Sequence, residues 1–439
     1  MPTPLYDALK EYIKGDPLRF HMPGHKGKLL PASELMRLAA IDVTELSPTG
    51  NLYEAGGPFD EAQRLWAEIF GFEFCQFLTG GSTMGIHTGL ALCAKPGERV
   101  LIDRNCHRAV FNALALLDLE PVWLERPWLS AENLIGPISP EMVEKKLDLC
   151  PDIKTICITS PTYTGVLSDI EGIAAAVHGH GGKLFVDGAH GAHLPFLEIA
   201  SYSRADAVAV SAHKTLPAMG QSALLFTNGM DPDRVRQMAS VYGSSSPSYP
   251  IMASLDLSRQ WLRDGGEEEY RRAARRAVRL RERFPALRER GGLSLDPCRF
   301  VLNVKDGPAF VRALEKRGVY TEMEDGGHVV FICTAQDSDG DFDRLEETLE
   351  QLRDQMGERD AIPAPPVPER VSSPRQALFA HSRMLPLAGC EGEVAACQIA
   401  PYPPGVPVVA PGERISKKEL AYLEKIGYNM HSEIRTVVL

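Results

Sequence analysis

Short apolar runs alternate with longer amphipathic stretches through the first half of the chain, between about residues 35 and 229. Strands that alternate with helices favour an α/β fold in which helices cover both faces of a mostly parallel sheet. Polar residues that follow such strands gather at the carboxyl edge of the sheet, where ligands bind. The predicted strands are 100–102, 122–124, 155–158, 183–186, 207–210 and 223–226, and the predicted helices are 63–70, 85–93, 107–117, 142–149 and 170–178.

The second half has a different pattern. A charged helical region over 254–289 is interrupted near Gly265 and Gly266. A strand, helix, strand, strand, helix order follows, which predicts a smaller α+β domain, and the proline-rich stretch 361–369 is the expected linker. We therefore expect an N-terminal segment (1–30), a large domain (31–250), a small α+β domain (251–360) and a C-terminal domain (370–439). The predicted elements of the small domain are 300–304, 308–316, 319–323, 328–333 and 342–355.

Composition narrows the classes of partner. The 439 residues carry a formal net charge of −11, which argues against nucleic acid as a partner. The first twenty residues lack the pattern of a signal peptide, and no apolar run is long enough to span a bilayer. The nine cysteines include no C-x-x-C pair, which suits reduced thiols. We expect a soluble, cytoplasmic protein without a membrane partner.

Lys214 stands where the predicted strand 207–210 gives way to a loop. An ammonium group beside a hydrophobic core must be paired or deprotonated, and a neutral lysine is a candidate nucleophile toward a carbonyl group. The alternative is a lysine that extends to solvent from the strand end. This stretch alone does not decide between the two interpretations.

Two more polar residues follow predicted strands. Asp187 ends a buried run, and an ionised carboxylate there could pair with the protonated ring nitrogen of a cofactor. Small residues follow it and would let a flat ligand approach the backbone. His107 begins a predicted helix, where a neutral imidazole could stack on an aromatic cofactor. The alternatives are a capping aspartate and a capping or surface histidine.

Gly80 and Gly81 precede a predicted helix, followed by Ser82 and Thr83. The backbone N–H groups of a helix start, together with two hydroxyls, form a cradle suited to one phosphate, although an ordinary helix cap has the same composition. Neither a P-loop nor a dinucleotide-binding fingerprint is present here. The conjunction of a phosphate cradle, a stacking ring, a ring-nitrogen partner and a nucleophilic lysine is stronger evidence than any one of these signals.

With these pieces the sequence resembles the ornithine/lysine/arginine decarboxylases, a group of fold-type I (aspartate aminotransferase-like) pyridoxal-phosphate enzymes. The Ser-Ala-His-Lys-Thr and Pro-Gly-His-Lys blocks are the most specific to that group. The matching segments are 20–27 (FHMPGHKG), 42–46 (DVTEL), 51–53 (NLY), 61–63 (EAQ), 81–83 (GST), 103–107 (DRNCH), 160–163 (SPTY), 186–191 (VDGAHG), 211–215 (SAHKT), 245–249 (SSPSY) and 401–405 (PYPPG).

The resemblance implies pyridoxal 5'-phosphate as cofactor. It implies that Lys214 forms a Schiff base with the cofactor, that Asp187 pairs with the ring nitrogen, and that His107 stacks on the ring. Lys214 or His213 would protonate the substrate's α carbon. The implied cofactor contacts are Gly81, Ser82, Thr83, His107, Asp187, Ala189, His190, Ser211, His213, Lys214, Ser245 and Ser246, with no metal ligand.

The implied reaction is α-decarboxylation of arginine, lysine or ornithine to the amine and carbon dioxide, in polyamine-type metabolism. A homodimer or larger homo-oligomer would share its sites, with Ser245 or Ser246 reaching a phosphate across the interface. The chain resembles the short members, which lack an N-terminal wing domain. It departs from the family at Gly50 and Cys397, where acidic residues are usual, and this leaves the choice of substrate open.

Three alternatives remain. The same scaffold could perform transamination or elimination, because a fold does not fix a reaction. An aminotransferase would need an arginine for a second carboxylate, and the small domain offers none that we can place. A non-catalytic homologue could bind the cofactor as a regulator. The histidine pairs 178/180 and 190/193 have spacings that permit a metal, but no cysteine joins either pair.

Overall fold

A computed structural model describes residues 2–19, 21–28, 35–199, 201–357, 361–401 and 405–438. Short turns of other helix types lie at Leu194–Leu197, Leu262–Gly266, Arg353–Gln355 and Leu387–Gly389. The α-helices are α1 (Pro4–Lys14), α2 (Met36–Ile41), α3 (Gly57–Phe70), α4 (Gly81–Cys93), α5 (Arg108–Leu117), α6 (Pro140–Leu149), α7 (Ile170–Gly179), α8 (Ala212–Thr215), α9 (Pro232–Tyr242), α10 (Tyr249–Trp261), α11 (Glu267–Arg283), α12 (Gly307–Glu315), α13 (Asp339–Gln351), α14 (Pro374–Leu378) and α15 (Lys417–Lys425).

The strands of the described residues fall in four sheets. They are β1 (Phe74–Leu78), β2 (Arg99–Asp103), β3 (Glu120–Leu124), β4 (Trp128–Leu129), β5 (Leu134–Ile135), β6 (Thr155–Thr159), β7 (Lys183–Asp187), β8 (Ala207–Val210), β9 (Ala223–Thr227), β10 (Arg299–Asn303), β11 (Met323–Glu324), β12 (His328–Ile332), β13 (Ser382–Pro386) and β14 (Glu433–Val437). The chain divides by its internal contacts into a first unit, Met1–Leu92 with Phe185–Arg271, and a second unit, Cys93–Leu184 with Arg272–Leu439.

In the first unit the strand order is β1-β9-β8-β7. β7 and β8 are parallel, with Asp187 opposite Ala209, whereas β9 runs antiparallel to both of its neighbours. Every residue of β8 and β9 is buried, as expected for strands covered on both faces. The parallel pair brings the carboxyl ends of β7 and β8 to the same edge of the sheet.

Two glycines allow α4 to pack closely on this sheet. A Cβ atom on Gly85 would lie 2.8 Å from the Cβ of Ala209, and one on Gly89 would lie 2.2 Å from the ring of Phe185. The two glycines are four residues apart and therefore share one face of the helix. This face fixes the start of α4, the predicted phosphate cradle, relative to β7 and β8.

The second unit contains the order β6-β2-β3, in which β2 is parallel to both neighbours. It also holds the small α+β sheet, β10-β12-β11, and a C-terminal hairpin of β13 and β14. The predicted mostly parallel α/β sheet and the separate α+β sheet are therefore confirmed. The predicted helical interruption near Gly265 is also present, since Gly265 has a φ of 122° within the turn before α11.

The predicted strand 319–323 is wrong over most of its length. The strand that pairs with β12 is Met323–Glu324, and the Glu322 N–H also donates to the Val330 carbonyl at 3.0 Å. The Val319 N–H group donates to the Leu314 carbonyl at 3.1 Å and so closes the end of α12 instead of joining a ladder.

The predicted linker 361–369 contains no helix and no strand. The next residue, Arg370, forms an isolated β-bridge with Glu413. The predicted domain boundaries stay predictions.

Among the described residues, no helix combines the length and the apolar character needed to cross a bilayer.

Candidate active site

Lys214 lies in a helical turn, α8, and not in the predicted loop. This turn follows β8 after Ser211, because the backbone of Ala212 accepts the N–H of Leu216 at 2.7 Å and closes one helical turn. The Nζ atom of Lys214 lies 3.0 Å from Nε2 of His190, a buried residue. The lysine is only half-buried, yet its amine contacts an imidazole. The contact favours the chemical interpretation of this lysine over simple extension to solvent.

Asp187 is the last residue of β7 and is 1% exposed. Its Oδ1 atom accepts the N–H of Ala189 at 3.2 Å, which is the turn contact that the capping alternative predicts. Since β7 and β8 are parallel, the carboxylate lies at the edge from which α8 starts. Asp187 therefore makes the turn contact and also places a buried carboxylate at the sheet edge where Lys214 lies.

Gly188 serves packing within the sheet. A Cβ atom at this position would lie 3.0 Å from Cγ2 of Val208 and 3.2 Å from Cγ1 of Val210. The glycine thus avoids tight contacts with the neighbouring strand, whereas sequence alone suggested that it leaves room for a ligand. Ala189, the next residue, is buried.

The start of α4 is connected to the residue that precedes α8. Ser211 Oγ donates to Ser82 Oγ at 2.8 Å. Gly81 has a φ of 67°, a conformation that favours glycine, and its N–H donates to the Gln221 carbonyl at 2.8 Å. Thr83 is exposed in the first helical turn. Two hydroxyls at a helix start form a site suited to one phosphate.

The hydrogen-bond partner of His213 determines which ring nitrogen carries the hydrogen. Its Nδ1 atom lies 2.9 Å from the carbonyl oxygen of Ser222. A carbonyl oxygen only accepts, so Nδ1 carries the hydrogen and, in the neutral ring, Nε2 keeps the lone pair. His213 is half-buried, so that the lone pair remains a candidate proton acceptor.

His107 belongs to the second unit and caps α5. Its Nδ1 atom accepts the N–H of Ala109 at 3.3 Å, as the capping interpretation predicts. The stacking role stays a prediction.

A buried ion pair near His107 was not predicted from the sequence. The Asp103 carboxylate, at the end of β2, accepts from Arg126 Nη2 at 2.7 Å and from the Thr159 N–H at 3.1 Å. Arg126 also donates to the Gly136 carbonyl at 3.0 Å, and both charged side chains are fully buried. The arginine thereby joins the ends of β2 and β6. The sequence offered one signal for this pair: Arg126 lies two residues after the predicted strand 122–124.

Ser245 and Ser246 are exposed in the segment between α9 and α10. The Ser246 N–H donates to Ser244 Oγ at 3.1 Å. Contact of either serine with a phosphate of a second subunit stays a prediction. Of the matching sequence segments, residue 20 and residues 402–404 lie outside the described residues.

The two departures from the family have structural correlates. Gly50 has a φ of 75°, and a Cβ there would lie 3.1 Å from Pro58 Cδ. A carboxylate side chain at this position would therefore be strained. Burial raises the pKa of the Cys397 thiol, and the Arg435 backbone only partly offsets this. Cys397 therefore contributes no negative charge at neutral pH.

The donor set of the first unit fits pyridoxal 5'-phosphate. An amine, a buried carboxylate and a pair of serine hydroxyls at a helix start correspond to the aldehyde, the ring nitrogen and the phosphate of that molecule. Lys214, Asp187 and Ser211 follow or end adjacent parallel strands, and Ser82 bonds to Ser211. The fit rests on the chemistry of these groups and on their common sheet edge.

The chain is similar to known proteins over almost its whole length. The family description Orn/Lys/Arg decarboxylase, major domain, matches residues 3–310, and the C-terminal domain of the same family matches residues 351–430. The chain is 29% identical to the arginine decarboxylase of Bacillus subtilis, over 96% of this chain and 93% of that protein.

The fold is similar to solved structures. Lysine decarboxylase A from Pseudomonas aeruginosa superposes with a TM-score of 0.82 at 18% identity, over 99% of this chain and 80% of that one. A structure described as SPT with PLP gives a TM-score of 0.54 at 15% identity, over 66% of this chain and 75% of that one. At these identities the likeness shows the fold, which is that of fold-type I enzymes.

Proposed function

Because the chain belongs to the Orn/Lys/Arg decarboxylase family, we propose that it uses pyridoxal 5'-phosphate to remove the α-carboxyl group of a basic amino acid as carbon dioxide. The observation that carries the proposal is the Lys214 amine, 3.0 Å from His190 at the sheet edge where the buried Asp187 carboxylate also lies. The products would be carbon dioxide and the corresponding amine.

Each part of the site has a binding task in this proposal. Lys214 would hold the cofactor's aldehyde carbon, Asp187 its ring nitrogen, and Ser82 with Ser211 its phosphate. When bound, the cofactor supplies an electron sink for the pair of electrons that the departing carboxyl group leaves on the α carbon. The ionised Asp187 keeps the ring nitrogen protonated, which strengthens that sink.

The remaining task is proton delivery to the α carbon. Lys214 Nζ is one donor. His213 Nε2 is the other once it has taken up a proton on the lone pair that the contact of Nδ1 with the Ser222 carbonyl leaves there. General acid catalysis of this kind contributes about 10²–10⁴-fold to a rate.

We infer that arginine is the preferred substrate. The support is the similarity to an arginine decarboxylase over almost the whole of both chains. Lysine and ornithine carry the same kind of side-chain charge and are the alternatives to test. A role in polyamine-type metabolism follows from the amines that these substrates would yield.

We also propose a homodimer or larger homo-oligomer that shares its sites. The exposed Ser245 and Ser246 support this, because a serine that contacts a second subunit's phosphate must lie on the surface of its own chain. Sedimentation of the purified protein tests this part, and a monomer at assay concentration with full activity would contradict it.

The reaction is tested by product identification. The purified chain with pyridoxal 5'-phosphate is incubated separately with arginine, lysine and ornithine, and amines are separated by chromatography. We expect agmatine from arginine as the main product and none from the Lys214→Ala variant. A keto acid in place of an amine would indicate transamination, and absence of any product would indicate a non-catalytic homologue.

A further inference from the structure

His190 stands out because of what its imidazole contacts. It lies three residues after Asp187, is 6% exposed, and places Nε2 at hydrogen-bond distance from Lys214 Nζ. The two residues are 24 positions apart in the chain. A buried imidazole beside a lysine amine is uncommon, since two cations so close would repel each other.

The pair has a chemical consequence. An ammonium nitrogen has no lone pair, so Lys214 must lose a proton before Nζ can attack a carbonyl carbon. A neutral imidazole accepts a hydrogen bond from that ammonium and can take the proton. Two positive charges so close would repel each other, which favours a pair that carries a single positive charge.

Other titratable groups face the same edge. Asp187 on β7 bonds to the Ala189 N–H, and His213 Nδ1 on α8 bonds to the Ser222 carbonyl. Tyr270 on α11 donates its hydroxyl to the Thr215 carbonyl, and His193 packs near the Tyr270 ring. His190 differs from these groups because its contact is with the nitrogen that reacts.

We propose that His190 is the general base that deprotonates Lys214 for covalent capture of the cofactor. One N–H bond of the Nζ ammonium breaks, its electron pair stays on Nζ, and the proton forms a new bond to His190 Nε2. Nothing is oxidised or reduced. When Lys214 is free again, the reverse transfer would move a proton from His190 Nε2 to Nζ. This role deepens the proposed function and rests on it.

The test measures cofactor capture and not turnover. Apoprotein is mixed with pyridoxal 5'-phosphate in a stopped-flow instrument, and the growth of the bound-cofactor absorbance is followed from about pH 7 to about pH 10. Wild type is compared with His190→Asn and with His381→Asn, a control at an exposed histidine. Borohydride reduction and peptide mapping verify that the label is on Lys214.

We expect His190→Asn to slow capture by about 10²-fold near neutral pH, in the range of general base catalysis. The deficit should shrink toward the alkaline end of the range, because more of the free amine then exists without a base. His381→Asn should follow wild type at every pH.

Three results would overturn the role. Equal capture rates near neutral pH would show that no base acts there. A deficit of constant size across the pH range would show that His190 only positions the lysine. Misfolding could also produce such a deficit, and it is identified by circular dichroism of His190→Asn and of a second variant, His190→Gln. If wild-type apoprotein does not capture the cofactor, the proposed function fails and this role fails with it.

Discussion

At the scale of single residues, the carboxylate of Asp187 has two separate tasks. Its Oδ1 atom holds the turn after β7 through the Ala189 N–H, and its buried charge is available to a protonated ring nitrogen. An asparagine keeps the acceptor for the turn but removes the charge. The two tasks can therefore be separated by a single substitution.

We predict that Asp187→Asn lowers kcat by at least about 10²-fold at saturating cofactor while the thermal midpoint stays close to that of wild type, because a neutral amide does not keep the ring nitrogen protonated. The matched control is Asp231→Asn. Asp231 is exposed and makes the same turn contact, 3.2 Å from the Asp233 N–H. Normal turnover in Asp187→Asn would remove the ring-nitrogen role.

Residue types at the site were predictable from the sequence, whereas their pairings were not. Lys214, Asp187 and Ser82 each follow a strand or start a helix, and that position is visible in the hydrophobic pattern. The Lys214–His190 and Ser82–Ser211 contacts join positions 24 and 129 residues apart. Such contacts depend on strand order and register, which a single sequence does not reveal.

At the scale of elements, the glycine face of α4 determines how closely this helix approaches the sheet. A Cβ on Gly89 would overlap the Phe185 ring. Alanine is favoured over glycine within a helix by about 1 kcal/mol, whereas overpacking a core costs about 1–3 kcal/mol. The clash should therefore outweigh the gain in helix propensity.

We predict that Gly89→Ala lowers stability by up to about 2 kcal/mol net, measured as a fall in the urea midpoint. Gly179→Ala is the control, since Gly179 also lies in a helix but no atom lies within 4 Å of its added Cβ. That control should match wild type or exceed it. Equal midpoints for both variants would contradict the close packing of α4.

The ion pair of Arg126 and Asp103 is the second prediction at this scale. Removing one partner of a buried pair leaves an uncompensated charge, at a cost of about 3–5 kcal/mol. Arg126→Ala should therefore lower the thermal midpoint strongly. Arg99→Ala breaks the Arg99–Asp152 pair, which is exposed, and should cost less than about 1 kcal/mol. Similar losses in the two variants would mean that burial of the Arg126 pair contributes nothing.

Elements with strong periodicity were predicted well, and the failures have local causes. The stretch 319–323 is apolar enough for a strand, but the helix end at α12 uses the Val319 N–H. The lysine-bearing segment was expected to be a loop because one helical turn leaves too short a pattern to detect. Neither failure changes the sheet edge at which Lys214 lies.

For the whole molecule, the division by contacts joins segments that are far apart in sequence. The first unit combines Met1–Leu92 with Phe185–Arg271 and contains Ser82, Asp187 and Lys214. The second unit contains His107. The predicted boundaries divide the chain into consecutive segments, and they stay predictions. The net charge of −11 argues against polyanions as partners of the whole chain.

The covalent attachment of the cofactor to Lys214 tests the central claim most directly. The whole chain is incubated with pyridoxal 5'-phosphate, reduced with borohydride, and analysed by intact mass and peptide mapping. The account predicts one reduced cofactor per chain, located on Lys214, and none after Lys214→Ala. A label on another lysine, or an unlabelled chain, would contradict it.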